Sequence, residues 1–172
     1  ALGRMVPSKR LDEAIAITER LRACGIPATL DIAGRAGSRH ARRLMRRHRG
    51  KAFVRFHPDA SADTLDRLLS RARFGLHCYR HEHFGIAVAE MITAGVLPLV
   101  HDSGGVRELV TLPRLRFGTA AQAADRLARL IALPDHETRA MADTLRQGAA
   151  LRAALDFEGQ LERRLAPLLE SG

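Results

Sequence analysis

An α/β fold, a doubly wound parallel sheet with a helical C-terminal cap, is what this sequence predicts. Short apolar runs alternate with amphipathic segments of roughly 10 to 15 residues, a pattern that calls for parallel strands joined by right-handed crossovers. The 172 residues contain no repeat of fixed period and no Gly/Ser/Pro-rich linker, so a single domain over residues 1–172 is expected. Hydrophobic residues make up 46% of the chain and charged residues 27%. A chain of this length removes roughly 70% of its unfolded surface from water, which excludes disorder as the main state.

The elements follow in order. From Ser8 to Gly25, Leu11, Ala14, Ile15, Thr18 and Leu21 recur at spacings of three and four, and Gly25-Ile26-Pro27 closes an amphipathic helix. Ala28–Ala33 reads as a strand ending in Gly34-Arg35-Ala36-Gly37, after which Ser38 is placed to cap a second helix through about Arg49. The alternation continues with a strand at Ala52–Phe56, a helix at Ser61–Arg73 and a strand at Phe74–Cys78. A helix at Gly85–Ala94 and a strand at Val96–Val100 come next, then a last short strand near Leu115-Arg116-Phe117. From Ala120 the chain reads as helical, with breaks at Pro134 and Asp156. Gly3-Arg4 reads as the loop after a first strand of which Ala1-Leu2 is the remainder, so the expectation is a chain cut from a longer one.

The 28 basic and 19 acidic residues give a net charge of +9, and Lys9 and Lys51 are the only lysines. That balance favours an anionic partner: nucleic acid, an acidic membrane surface or a phosphate-bearing small molecule. No apolar run approaches the roughly 18 to 20 residues of a membrane helix, and Ala1-Leu2-Gly3-Arg4 lacks a signal pattern, so a cytoplasmic protein is expected. Cys24 and Cys78 fall far apart, in helical and extended segments, which argues against a disulfide. His77, Cys78, His81 and His83 raise a zinc site, but neighbours on a strand point to opposite faces, which opposes four-ligand closure. Arg39, Arg42, Arg43, Arg46, Arg47, Arg49 and Lys51 crowd the second helix and leave Ala41, Leu44, Met45 and His48 to face the sheet. A run of this kind reads first as a solvated face. Contact with an anionic membrane surface is the sharper alternative. Nucleic acid is disfavoured, because only seven aromatics exist, most of them core-like, and no nucleic-acid motif is present.

Ligands of an open α/β sheet bind beyond the carboxyl ends of the strands, which directs attention to the loops there. In Gly3-Arg4-Met5-Val6-Pro7-Ser8-Lys9-Arg10 a glycine permits a tight turn, and Arg4 and Lys9 flank a helix start, the makings of an anion site. The loop from His77 to Glu90 is richer. Seven residues separate Glu82 from Glu90, and with a helix starting near Phe84 or Gly85 both carboxylates can border one cleft, Glu90 from the second turn. Carboxylates accept hydrogen bonds from sugar hydroxyls, while the amides of Phe84, Gly85 and Ile86 are left for a phosphate.

These residues resemble the E-x(7)-E signature of the retaining family 4 (group 1) glycosyltransferases of the GT-B fold. The likeness rests on Glu82 and Glu90 with Phe84-Gly85 between them and Ala94-Gly95-Val96-Leu97-Pro98 after. It extends to Gly3-Arg4 with Lys9, to Ile32-Ala33-Gly34, and to Ser103-Gly104-Gly105 followed by Glu108-Leu109-Val110. It implies a Rossmann-like C-terminal domain that binds a nucleotide-sugar donor, with the N-terminal acceptor domain of the same protein absent from this chain. By the same resemblance Arg4 and Lys9 neutralise the donor diphosphate, Glu82 holds hydroxyls of the transferred sugar, and Glu90 binds the ribose. Gly3 and the amides of Phe84, Gly85 and Ile86 line the donor, His83 borders the sugar pocket, and the Phe56-His57-Pro58 loop lies where the base sits. Charge on the departing nucleoside diphosphate is then stabilised by Arg4, Lys9 and a helix N-terminus, with no metal and no other cofactor; no Asp-x-Asp motif is present.

Gly75-Leu76-His77, Glu82 to Ile86 and Pro98 to Gly105 are similar to the GDP-mannose-dependent α-1,2-mannosyltransferases that extend a lipid-linked oligosaccharide. GDP-mannose is favoured over a UDP-sugar on that basis, although the Arg- and Ala-rich remainder departs from those proteins. The expectation is a donor-binding domain with little turnover on its own, peripheral to the inner face of a membrane. The competing readings are a non-catalytic nucleotide- or sugar-phosphate-binding module and a basic nucleic-acid-binding domain.

Overall fold

Residues 1–148 and Leu151 are described by the computed structural model. Strands β1 (Leu30–Gly34), β2 (Val54–Pro58), β3 (Phe74–His77), β4 (Leu97–His101) and β5 (Arg116–Phe117) alternate with helices. These are α1 (Leu11–Ala23), α2 (Arg39–His48), α3 (Ala62–Arg71), α4 (Ile86–Thr93), the single turn α5 (Val106–Leu109), α6 (Ala120–Ile131) and α7 (Asp135–Arg146). Every strand pairing is parallel, as the alternation requires. β4 shows why its sequence is continuously apolar: Leu97, Pro98, Leu99 and Val100 are all buried, covered on both faces.

The ladder is not one sheet. β1 pairs with β2, setting Ile32 opposite Phe56, while β3, β4 and β5 form a second ladder with Leu76 opposite Leu99 and His101 opposite Phe117. Only an isolated bridge from Leu2 to Ala33 occupies the other edge of β1 among the described residues. Between that edge and β3 lies a cavity of about 490 Å³, lined by Leu30, Ala33, Phe74 and Leu76 and by side chains of α1, α3 and α6. Helix packing, α1 against α6 above all, therefore joins the two ladders.

Several boundaries differ from expectation by one to three residues, and three of them bear on the site or the sheet. The first helix begins at Leu11, because Pro7–Lys9 forms a 3-10 turn and Arg10 adopts a left-handed conformation (φ 49°) that interrupts it. β2 begins at Val54, since residues 49–53 are spent on the turn that brings the Phe53 carbonyl to the Leu30 N–H, 2.8 Å away. The fourth helix starts at Ile86 with Gly85 as its cap. Ser38 caps α2 as expected, accepting a hydrogen bond from the Ala41 N–H at 3.0 Å, and Pro134 separates α6 from α7. The expected break at Asp156 lies outside the described residues. No described helix is long and apolar enough to cross a membrane.

Candidate functional site

The carboxyl ends of the strands bring three loops together: residues 3–10, 78–86 and 101–105. The first is stitched to β1 and the turn beyond it, with Gly3 N–H donating to the Ala33 carbonyl at 3.0 Å and Met5 N–H to the Arg35 carbonyl at 2.9 Å. The Met5 side chain is fully buried beneath it, so the loop is anchored at its centre. Lys9 then projects across to the second loop, where its Nζ donates to Glu82 Oε2 at 3.0 Å and stands 4.5 Å from the centre of the Tyr79 ring. Arg4 is exposed and forms no ion pair among the described residues. The helix start expected here contributes little to anion binding. α1 begins beyond Arg10 and carries Asp12 and Glu13 in its first turn, so the positive charge of this corner belongs to the side chains of Arg4 and Lys9.

Glu82 is the centre of the second loop. Its Oε2 also lies 3.2 Å from Nε2 of His77, the buried last residue of β3, although the ring nitrogen is not aligned for a hydrogen bond and has no other partner. Its Oε1 accepts the His83 N–H at 3.2 Å. The His77 imidazole and the Lys9 ammonium outweigh the cost of burial and hold the Glu82 carboxyl down to about 2, so it is ionised at neutral pH.

The third loop braces the second through the backbone. Gly105 N–H donates to the Glu82 carbonyl at 2.7 Å, and Gly104 bridges to Glu82. A Cβ on Gly104 would fall 2.4 Å from that carbonyl oxygen, at a φ of +74°, so this contact demands glycine. Ser103 Oγ accepts the His81 N–H at 3.0 Å and is itself 2.8 Å from His101 Nδ1. Sequence reasoning noted Ser103-Gly104-Gly105 and Gly75-Leu76-His77 only as parts of motifs, and the one separate role it weighed for His77 was as a zinc ligand. Its place at a strand end, five residues before Glu82, was the available signal.

Gly85 caps α4 in a left-handed conformation (φ 71°), leaving the amides of Ile86 and Ala87 without intrahelical acceptors. Phe84 and Ile86 are 65% and 58% exposed on the rim of the site, and Glu90 is exposed on the second turn of α4. His83 is exposed and meets Glu82 through its backbone. Phe56 and His57 stand farther along the sheet, on opposite faces of β2. Phe56 lines a groove beside α2, whereas His57 Nε2 is 2.7 Å from Asp31 Oδ1. No three His, Cys, Asp or Glu side chains converge as a metal site among the described residues. Both cysteines are free, and burial pushes the Cys78 thiol up to about 12.

The architecture has known relatives. The family described as Glycosyl transferases group 1 matches residues 1–146. The GDP-Man:Man(3)GlcNAc(2)-PP-Dol alpha-1,2-mannosyltransferase of Mus musculus is 32% identical over 111 residues, covering 61% of this chain and 23% of that protein. The Dictyostelium discoideum protein of the same name is 46% identical over 55 residues, 32% of this chain and 11% of that one. The chain thus spans less than a quarter of the length of these curated relatives. In fold it is similar to the C-terminal domain of the glycosyl transferase group 1 family protein LpcC from Francisella tularensis. The TM-score is 0.66 at 16% identity, with 87% of this chain and 81% of that one covered.

Proposed function

The chain belongs to the group 1 glycosyl transferases, and on that premise we propose that it is the nucleotide-sugar donor domain of a retaining, metal-independent hexosyltransferase. The observation that carries this reading is the contact of Lys9 with Glu82: a cation suited to a diphosphate beside an ionised carboxylate suited to sugar hydroxyls, at the carboxyl ends of parallel strands. Arg4 and Lys9 bind the diphosphate and stabilise the charge that develops on it as the anomeric bond breaks. Glu82 accepts hydrogen bonds from hydroxyls of the transferred sugar, and Glu90 does so from the ribose. Gly3, His83, Phe84, Gly85 and Ile86 line the donor, and the base lies toward His57. The activity for which the relatives are named favours GDP-mannose over a UDP-sugar and a lipid-linked glycan as acceptor. An acceptor domain of the same protein supplies the other half of the active site, and this domain alone binds donor with little turnover.

The same reading sets α2 against an anionic membrane surface, with the protein on its cytoplasmic side and nucleic acid not a partner. Arg39, Arg43, Arg46 and Arg49 are exposed and form no ion pair among the described residues. Beside them a groove of about 480 Å³ combines apolar Met45, Val54 and Phe56 with Arg42, Arg46 and Arg49, a pairing that suits acyl chains beneath acidic headgroups.

Calorimetric titration with GDP-mannose, UDP-glucose, UDP-N-acetylglucosamine, GDP and UDP tests the donor site. One nucleotide should bind selectively, and Arg4→Ala and Glu90→Ala should each weaken it about tenfold, the worth of one hydrogen bond to a charged group. Absence of any binding at millimolar concentration would overturn the reading.

A further inference from the structure

We infer that His77 is a positioning residue for Glu82, keeping its carboxylate oriented once Lys9 turns to the donor diphosphate. The inference rests on the donor-site reading above and adds a residue to which that reading gives no role. In the structure Glu82 Oε2 is shared: Lys9 Nζ is 3.0 Å away and His77 Nε2 is 3.2 Å away, while Oε1 is held by the His83 N–H. Tyr79 packs against both groups, its ring beneath Lys9 Nζ and edge-on to the His77 imidazole with ring centres 6.3 Å apart. The two donors differ in freedom. Lys9 sits at the end of a four-carbon stem and is 18% exposed, whereas the His77 side chain is 3% exposed and fixed at the end of β3.

A diphosphate carries more negative charge than one carboxylate, so its arrival draws the mobile ammonium away from Glu82. Glu82 would then be left part-buried with one donor fewer on Oε2, the arrangement that raises a carboxyl group's proton affinity and loosens its orientation. His77 Nε2 is the nearest remaining donor. It is buried without an aligned partner, so a small rotation of the carboxylate replaces the lost lysine contact and satisfies that nitrogen. Glu82 then retains lone pairs for the sugar hydroxyls, and the contribution of His77 is confined to the sugar end of the donor.

Titration of the full chain with GDP-mannose and GDP, and with UDP-glucose and UDP, separates sugar recognition from nucleotide recognition. His77→Phe should keep the nucleoside diphosphate within about twofold and weaken the nucleotide sugar about tenfold, the loss of one charge-assisted hydrogen bond. His77→Gln, whose amide nitrogen reaches the Nε2 position, should restore the sugar preference. His77→Asn, whose amide reaches only the Nδ1 position, should not. The Asn and Gln pair decides the matter if the Phe variant melts below the binding temperature. Equal sugar preference in all three variants, or equal loss of nucleotide and nucleotide sugar, would overturn the role of His77 while leaving the donor site standing. A wild-type chain that binds none of the four ligands would overturn both.

Discussion

Glu82 is ionised because two nitrogen groups face one of its oxygens and a backbone amide faces the other, and this fixes how the protein responds to acid. Its folded pKa, about 2, lies below the unfolded value near 4.5, so its contribution to stability is complete above pH 4.5 and is lost as pH falls toward 2. Glu82→Gln should therefore cost about 2 kcal/mol at pH 7, where Lys9 is left without its carboxylate. The gap between wild type and variant should narrow steadily below pH 4.5. Urea denaturation of both proteins at pH 7, 4 and 3 measures it, and a gap that stays constant would mean that Lys9 and His77 do not hold the carboxyl down. Asp12 behaves alike on a smaller scale. Its hydrogen bonds from His48 and Arg47 outweigh burial and lower its pKa, which adds to the same acid loss.

At the scale of elements, Ser38 joins a helix to the site. Its Oγ caps α2 and also donates to the Met5 carbonyl at 3.1 Å, in the loop that carries Arg4 and Lys9. Ser61 caps α3 from an exposed position and makes no such cross-link. Ser38→Ala should cost about 1–2 kcal/mol, and Ser61→Ala about 0.5–1 kcal/mol, in urea denaturation. The Ser38 cap was legible in the sequence because its signal is local: a short polar side chain just before an apolar period. β4 was legible for the same reason, as was the break at Pro134. The start of α1 was not, since nothing about an arginine announces a left-handed backbone at Arg10. The two-glutamate spacing marked the loop that the proposal assigns to the donor. Its bracing by Ser103 and Gly104, and the approach of His77 to Glu82, depend on which strands end side by side, and that is settled only when the chain is folded.

For the molecule as a whole, alternation of strand and helix implied parallel order without saying which edges would meet. The two ladders that result are joined by side chains across the cavity of about 490 Å³. The cavity is open on one side and lined there by Asp31, Arg55, His57, Arg71 and Arg73, so only its apolar floor offers space that a further methylene can fill. Thr18 of α1 lines it and is 2% exposed. Its hydroxyl is satisfied within its own helix, donating to the Ala14 carbonyl at 2.9 Å, so an apolar replacement orphans no distant group. Thr18→Ile adds apolar volume toward the void while keeping the branched Cβ, and should raise stability by about 1 kcal/mol, seen as a rise in Tm of about 2–4 °C. Thr18→Ala enlarges the void and should lower Tm instead. A lower Tm for the isoleucine variant would mean that α1 already packs to its limit against the ladders, and that the junction between them is not space a side chain can enter.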